Sequence, residues 1–244
     1  MKILILSLCV LLVVIYILLP KIYAIRGSIA YEKSGLENAL KFYEKAYKTK
    51  RASVRDKITY ALLVLRDGRP EDSEKLFNEL VLSPKTPEKN KNAAKQYRCM
   101  AYIKEGRCAE AAESAAELLE SYKNSDLYAI LGYAMLLLGK DGALELCAEA
   151  YDYNEDNRDI ADNYALALIK NGESERALEI CDKVIQKNRY FPEGHFHKAM
   201  ALKNLGRFPE ALEELEFLDD CDFKYLTTIG DDEIDALREE IENA

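Results

Sequence analysis

At 244 residues the chain has room for one or two ordinary domains. Abundant Ala, Leu, Glu and Lys, with 6 Pro, 11 Gly and no Trp, exclude a fibrous or disordered chain and favour an all-helical protein with a real core. The net charge of −9 argues against a nucleic-acid partner, which would demand a basic face for phosphate neutralisation. The charge is unevenly spread: Lys33 to Lys57 carries eight basic residues against Glu37, Glu44 and Asp56, whereas the stretch from Glu210 onward carries fourteen acids against Lys224 and Arg238.

Ile3 to Leu19 is a run of seventeen uncharged residues dominated by Leu, Ile and Val. As a helix it extends about 26 Å, close to the ~30 Å of a hydrocarbon core. Ile22 to Ile25 can lengthen it, with Lys21 snorkelling to the interface. A cleaved secretory signal is the competing reading, with Ile22-Tyr23-Ala24 as the cleavage site. Against it, the apolar run exceeds the ~7–15 residues of a signal core, and Pro20 and Lys21 crowd the site. Leu8 before Cys9 disfavours a lipoprotein signal. Lys21, Arg26 and Lys33 on the far side of the run, against Lys2 on the near side, favour a cytoplasmic repeat domain.

From there the chain repeats itself. Gly35, Gly68, Gly106, Gly139, Gly172 and Gly206 recur at spacings of 33, 38, 33, 33 and 34. A small residue follows each after four or five positions (Ala39, Ser73, Ala111, Ala143, Ala177, Ala211). Another precedes each by seven or eight (Gly27, Ala61, Cys99, Gly132, Ala165, Ala199). This is the pattern of a helix, a Gly-containing turn and an antiparallel second helix, because two helices approach closely only where both carry small side chains at the crossing. Larger residues follow on the second helix as Tyr43/Ala46, Phe77/Leu80, Ala115/Leu118, Cys147/Ala150, Cys181/Val184 and Leu215/Leu218. They predict contact with the next hairpin, so that stacking buries a continuous core. The polar stretch Ser83 to Asn92 accounts for the 38-residue step and predicts a looser joint. Asp231 to Asn243 predicts one amphipathic helix, with Ile234, Leu237 and Ile241 inward and Asp231 or Asp232 as N-cap.

Units such as YALLVLRDGRPEDSEKLFNEL, YAMLLLGKDGALELCAEAY and YALALIKNGESERALEICDKV resemble tetratricopeptide repeats, over roughly residues 22–220. The family's early first-helix aromatic and closing proline are mostly missing, and two turns are one residue short. The resemblance implies an all-α, right-handed superhelical solenoid of about six hairpins, to which the apolar run adds one transmembrane helix before it and the amphipathic segment a C-terminal capping helix after it. The expected division is an anchor (or uncleaved signal) over 1–25, a solenoid over 26–220 and an acidic capping helix over 221–244.

No active site is legible. His195 and His197 stand two apart on a predicted helix and so face different ways. No Gly-rich phosphate loop, nucleophile elbow or metalloprotease motif is present. The six cysteines (Cys9, Cys99, Cys108, Cys147, Cys181, Cys221) form no Cys-x-x-Cys pair and read as free thiols of a reducing compartment. The expectation is a protein that is not an enzyme, with no cofactor, no metal and no small-molecule substrate. The resemblance implies instead a concave groove, lined by first helices, that takes a protein or peptide. By position it would be lined by Leu62, Met100, Tyr133, Leu166 and Met200, and three residues further on by Leu65, Ile103, Leu136, Ile169 and Lys203. Such a row suits an apolar or amphipathic segment, although part of it can equally pack between helices. The functional expectation is a single-pass membrane scaffold or adaptor, tethered through residues 3–19, that acts in assembly of a membrane complex. The alternatives are a self-associating structural solenoid without a client, or a secreted or periplasmic scaffold released by cleavage near Ala24.

Overall fold

The protein is described here by a computed structural model covering residues 2–221 and 223–244, the side chains of residues 2–6 and 8 aside. Among the described residues it contains α-helices, one 3₁₀ turn and no strand. The helices are α1 (Lys2–Ser34), α2 (Leu36–Lys48), α3 (Val54–Arg66), α4 (Pro70–Leu82), α5 (Glu88–Lys104), α6 (Cys108–Leu119) and α7 (Ser125–Leu137). They continue as α8 (Ala143–Tyr153), α9 (Arg158–Lys170), α10 (Ser174–Lys187), α11 (Pro192–Asn204) and α12 (Phe208–Phe217), then the 3₁₀ turn Leu218–Asp220 and α13 (Asp231–Glu242). The chain forms two compact units that divide at Ala101/Tyr102, inside α5.

The hairpin turns explain the glycine period. Gly68, Gly106, Gly139, Gly172 and Gly206 all adopt φ between 57° and 80°, the left-handed region that residues with a side chain rarely enter. The residue after each glycine donates its N–H to the carbonyl five positions back: Arg69 to Val64, Arg107 to Tyr102, Lys140 to Met135, Glu173 to Leu168 and Arg207 to Leu202, at 2.8–3.2 Å. That bond closes a Schellman motif and satisfies carbonyls the ending helix leaves open. Where the turn is one residue short, before α8, a second left-handed glycine, Gly142, makes up the geometry. Ser53, Asn124 and Asn157 cap α3, α7 and α9 by accepting the N–H of Asp56, Leu127 and Ile160.

In the first unit α1 packs on α2, α2 on α3 and α3 on α4. Helix α1 carries the apolar run and the first helix of the first hairpin without interruption, continuing through Pro20. Val10 to Leu18 lie exposed, whereas Ala24 is buried with Ala39, Leu40, Tyr43, Leu63 and Val64. Gly27 lets the two helices meet: a Cβ there would stand 2.6 Å from the Tyr43 ring. Phe77 anchors the neighbouring cluster with Ile58, Ala61, Leu80 and Ala94. Of the polar stretch 83–92, only residues 83–87 connect helices; residues 88–92 are the first turn and more of α5. Thr86 is buried there, and its N–H reaches the Ser83 carbonyl at 3.2 Å, so the connection is a packed turn.

In the second unit each hairpin packs internally and against its neighbour, and first helices also meet first helices, α7 on α9 and α9 on α11. One cluster joins Cys147, Ala165, Leu168, Ala177, Cys181 and Val184. All six small residues after the turn glycines and all six before them are buried, as are the twelve larger second-helix residues expected to face the next hairpin. At Gly132 a Cβ would lie 3.2 Å from the Cys147 sulfur, the same close approach seen at Gly27. Helix α13 buries Ile234, Leu237 and Ile241 against α11 and α12. Its N-cap is Gly230 and not Asp231 or Asp232: the Glu233 carboxylate turns back to accept the Gly230 N–H at 2.9 Å. With Glu233 in that role, both aspartates enter the first turn, where they favour the positive end of the helix dipole.

Candidate protein-binding face

The ten residues expected to line a groove fall into three groups. Leu65 in the first unit, and Leu136, Leu166 and Ile169 in the second, are buried; the last three join the cluster around Leu168 and pack between helices. Leu62, Met100, Ile103 and Met200 are half-buried. Leu62 leans on the Phe77 cluster and Met200 on the two clusters of the second unit. Tyr133 and Lys203 are also half-buried, and both are engaged by residues beyond α12.

Those residues form an irregular strap, Phe223 to Gly230, between the 3₁₀ turn and α13. Three helices hold its backbone. Lys104, the last residue of α5, donates its Nζ to the Thr227 carbonyl at 2.8 Å and lies 5.4 Å from the centre of the Tyr225 ring. Tyr133 of α7 donates its hydroxyl to the Thr228 carbonyl at 3.4 Å. Glu193 of α11 accepts the Thr228 N–H at 2.8 Å and its hydroxyl at 3.4 Å through the same Oε1. All three side chains come from first helices of hairpins. Lys203 of α11 meanwhile pairs with Glu240 of α13.

Burial dominates the electrostatics of this patch. Burial pushes the Glu193 carboxyl above its ordinary range, partly offset by the Thr228 N–H. Burial likewise lifts the Tyr133 hydroxyl to about 12. Desolvation drives Lys104 the other way, lowering its pKa, with the Glu193 charge opposing. Lys104, Glu193 and the strap itself were not legible as site residues: a lone lysine or glutamate on a helix reads as a solvated face until the chain folds back on it.

No protein-family profile matches the sequence, and no curated protein is similar to it. Solved structures are similar. A tetratricopeptide repeat protein from Parabacteroides merdae superposes with a TM-score of 0.62 at 13% identity, over 92% of this chain and 86% of that one. A thermophilic protein of the same repeat class from Thermus thermophilus reaches 0.61 at 16% identity, over 79% and 100%. YrrB, described as a TPR protein with an unusual peptide-binding site, gives 0.51 at 17% identity, over 83% and 98%. The fold is a tetratricopeptide-repeat solenoid.

Within this tetratricopeptide fold the two histidines turn to different partners. His195 hydrogen-bonds Glu214 of α12 at 2.6 Å and the Arg189 carbonyl at 2.8 Å. His197 meets Asp162 of α9 at 2.8 Å, tying one first helix to the next. Among the described residues no group of three His, Cys, Asp or Glu side chains is placed to hold a metal. The cysteines are free, and burial raises the thiols of Cys99 and Cys147 to about 11 and about 12.

His197 makes the fold sensitive to pH. Burial alone would strip its proton, but the Asp162 carboxylate, aided by Glu193 and Glu233, outweighs that and holds its pKa above 6.5. The folded state therefore binds this proton more tightly than the unfolded chain does. The resulting stabilisation is fully present below pH 6.5 and is lost as pH rises through the elevated folded value. Denaturant unfolding at about pH 6 and about pH 8.5 should show lower stability at the higher pH. In His197→Gln that difference should shrink; an unchanged difference would assign the pH dependence elsewhere.

Proposed function

We propose that this chain is a membrane-tethered scaffold, without catalytic activity of its own, that holds a partner protein or peptide on the first-helix face of its second unit. The observation carrying this reading is the convergence of Lys104, Tyr133 and Glu193 on the backbone of one irregular segment. Side chains that grip backbone amides and carbonyls select a backbone path with little regard to side-chain identity, which is how a face of this kind holds a peptide.

Two observations support tethering by α1. Val10 to Leu18 expose their apolar side chains around the helix, as a lipid-facing segment would and a core helix would not. Ala24, where a signal peptidase would cut, is instead buried in the first hairpin, so cleavage would remove a core residue and most of its helix. The basic corner after α2 sits beside the span: the Arg51 guanidinium stacks 3.4 Å from the centre of the Tyr16 ring, with Lys48 and Lys50 close in sequence. Such a corner suits the anionic headgroups of a cytoplasmic leaflet. The tether concentrates the scaffold near membrane-bound clients without adding a contact.

Proximity labelling from the full-length protein in its native membrane tests this, with the double variant Lys104→Glu and Tyr133→Glu as control. A discrete set of labelled proteins should disappear in the variant while its helicity by circular dichroism stays that of the parent. An unchanged set would remove this face as the binding surface and bring the self-associating solenoid forward.

A further inference from the structure

The strap does more than join α12 to α13. A connector between those helices has no need to run over the first helices, yet residues 227 and 228 place two carbonyls and one N–H on Lys104, Tyr133 and Glu193. Glu193 is only 6% exposed, and the Thr228 donors offset part of the cost of burying its carboxylate. The strap is nevertheless lightly held. Phe223, Lys224 and Tyr225 are exposed, Leu226 to Thr228 are half-buried, and Ile229 alone is buried, against the cluster of α11 to α13. A short turn lies within it, Thr227 N–H to the Lys224 carbonyl at 2.9 Å and Lys224 N–H to the Thr227 hydroxyl at 3.0 Å. Helix α13 is anchored separately, by Ile234, Leu237 and Ile241, so the strap can leave without unseating the cap.

We infer that residues 223–229 are a built-in ligand of the binding face, and that a client is admitted only by displacing them. This rests on the reading of that face as a peptide site. The strap also describes its competitor. The client is a segment that, after a turn, offers consecutive carbonyls to Lys104 and Tyr133 and an N–H, better with a hydroxyl beside it, to Glu193. An aliphatic residue follows, in the place of Ile229. An acidic residue at the Thr228 position is excluded, because Glu193 is buried there with Asp162 near it. Occupancy in cis lowers the apparent affinity for any client by the fraction of molecules whose face is open.

The test uses full-length protein in detergent and, as probe, a fluorescent synthetic peptide of residues 223–230 followed by anisotropy. In one variant Phe223–Thr228 is replaced by a Gly/Ser run of twice the length, which keeps Ile229 and α13 and gives the connector the freedom to leave the face; in a second, Thr228→Pro removes both the N–H and the hydroxyl given to Glu193. Both should bind the probe about tenfold or more tightly than the parent. Adding Lys104→Ala and Glu193→Gln to either should abolish that gain. Equal binding by the parent and both variants, or no binding by variants whose circular dichroism is intact, would overturn the inference. Probe binding by the opened variants with no additional proteins labelled at the membrane would uphold the strap as a ligand and overturn the client reading instead.

Discussion

Replacing Phe77 with alanine is expected to cost about 3–5 kcal/mol of stability, the largest effect anticipated for a single side chain here. Phe77 is 0% exposed and belongs to a cluster drawn from three helices: Ile58 and Ala61 of α3, Leu80 of α4 and Ala94 of α5, with its ring centre 6.2 Å from that of Tyr97. Helices fixed by their own backbone bonds close such a hole only in part, so the lost transfer energy and the residual cavity add. Denaturant unfolding followed by circular dichroism measures the loss. Because repeats are coupled mainly to their neighbours, amide exchange should quicken in α3 to α5 and stay unchanged in α9 to α12. Leu82→Ala, at an 81% exposed residue near the end of the same helix, should stay within about 0.5 kcal/mol of the parent. A similar loss in both variants would mean that Phe77 does not hold the cluster.

Ala165→Leu tests the other half of the packing logic, that the crossing point of a hairpin has no room. Ala165 lies mid-way along α9 and is 0% exposed, as is Ala177 on the returning α10, and both belong to the cluster around Leu168. Added carbons there must push the helices apart or force strained rotamers, at about 1–3 kcal/mol. Ala109→Leu, at an exposed position on α6, adds the same carbons into solvent and should change little. If Ala165→Leu unfolds at the same denaturant concentration as the parent, close approach is not what selects the small residues.

How much of this was legible follows from the range of the interactions. The hairpin period is written locally: a glycine for a left-handed turn, an alanine or glycine where helices cross, a larger apolar residue where hairpins stack. Each requirement falls within one repeat, so residues such as Gly172, Ala177 and Cys181 declare their places from spacing alone. The groove is a different case. Leu136 and Leu166 have the same composition and spacing whether they face a groove or a neighbouring helix, and a small change in helix phase moves them from one to the other. The α13 cap falls one or two residues before the expected Asp231 or Asp232 because the Glu233 carboxylate, three positions on, takes the Gly230 N–H.

By itself, then, the sequence determined the all-helical hairpin array, the positions of its turns, the small-residue crossings and the exposed apolar run at its start. Only the tertiary structure decided that α1 is shared between that run and the first hairpin, that six of the ten anticipated groove residues are occupied with packing or with the capping region, and that residues 223–230 lie across Lys104, Tyr133 and Glu193. The physical reason is separation along the chain. Thr227 and Lys104 stand 123 residues apart, and Thr228 and Tyr133 stand 95 apart. No local periodicity encodes a hydrogen bond from a side chain to a distant backbone carbonyl, whose acceptor is the same atom in every residue.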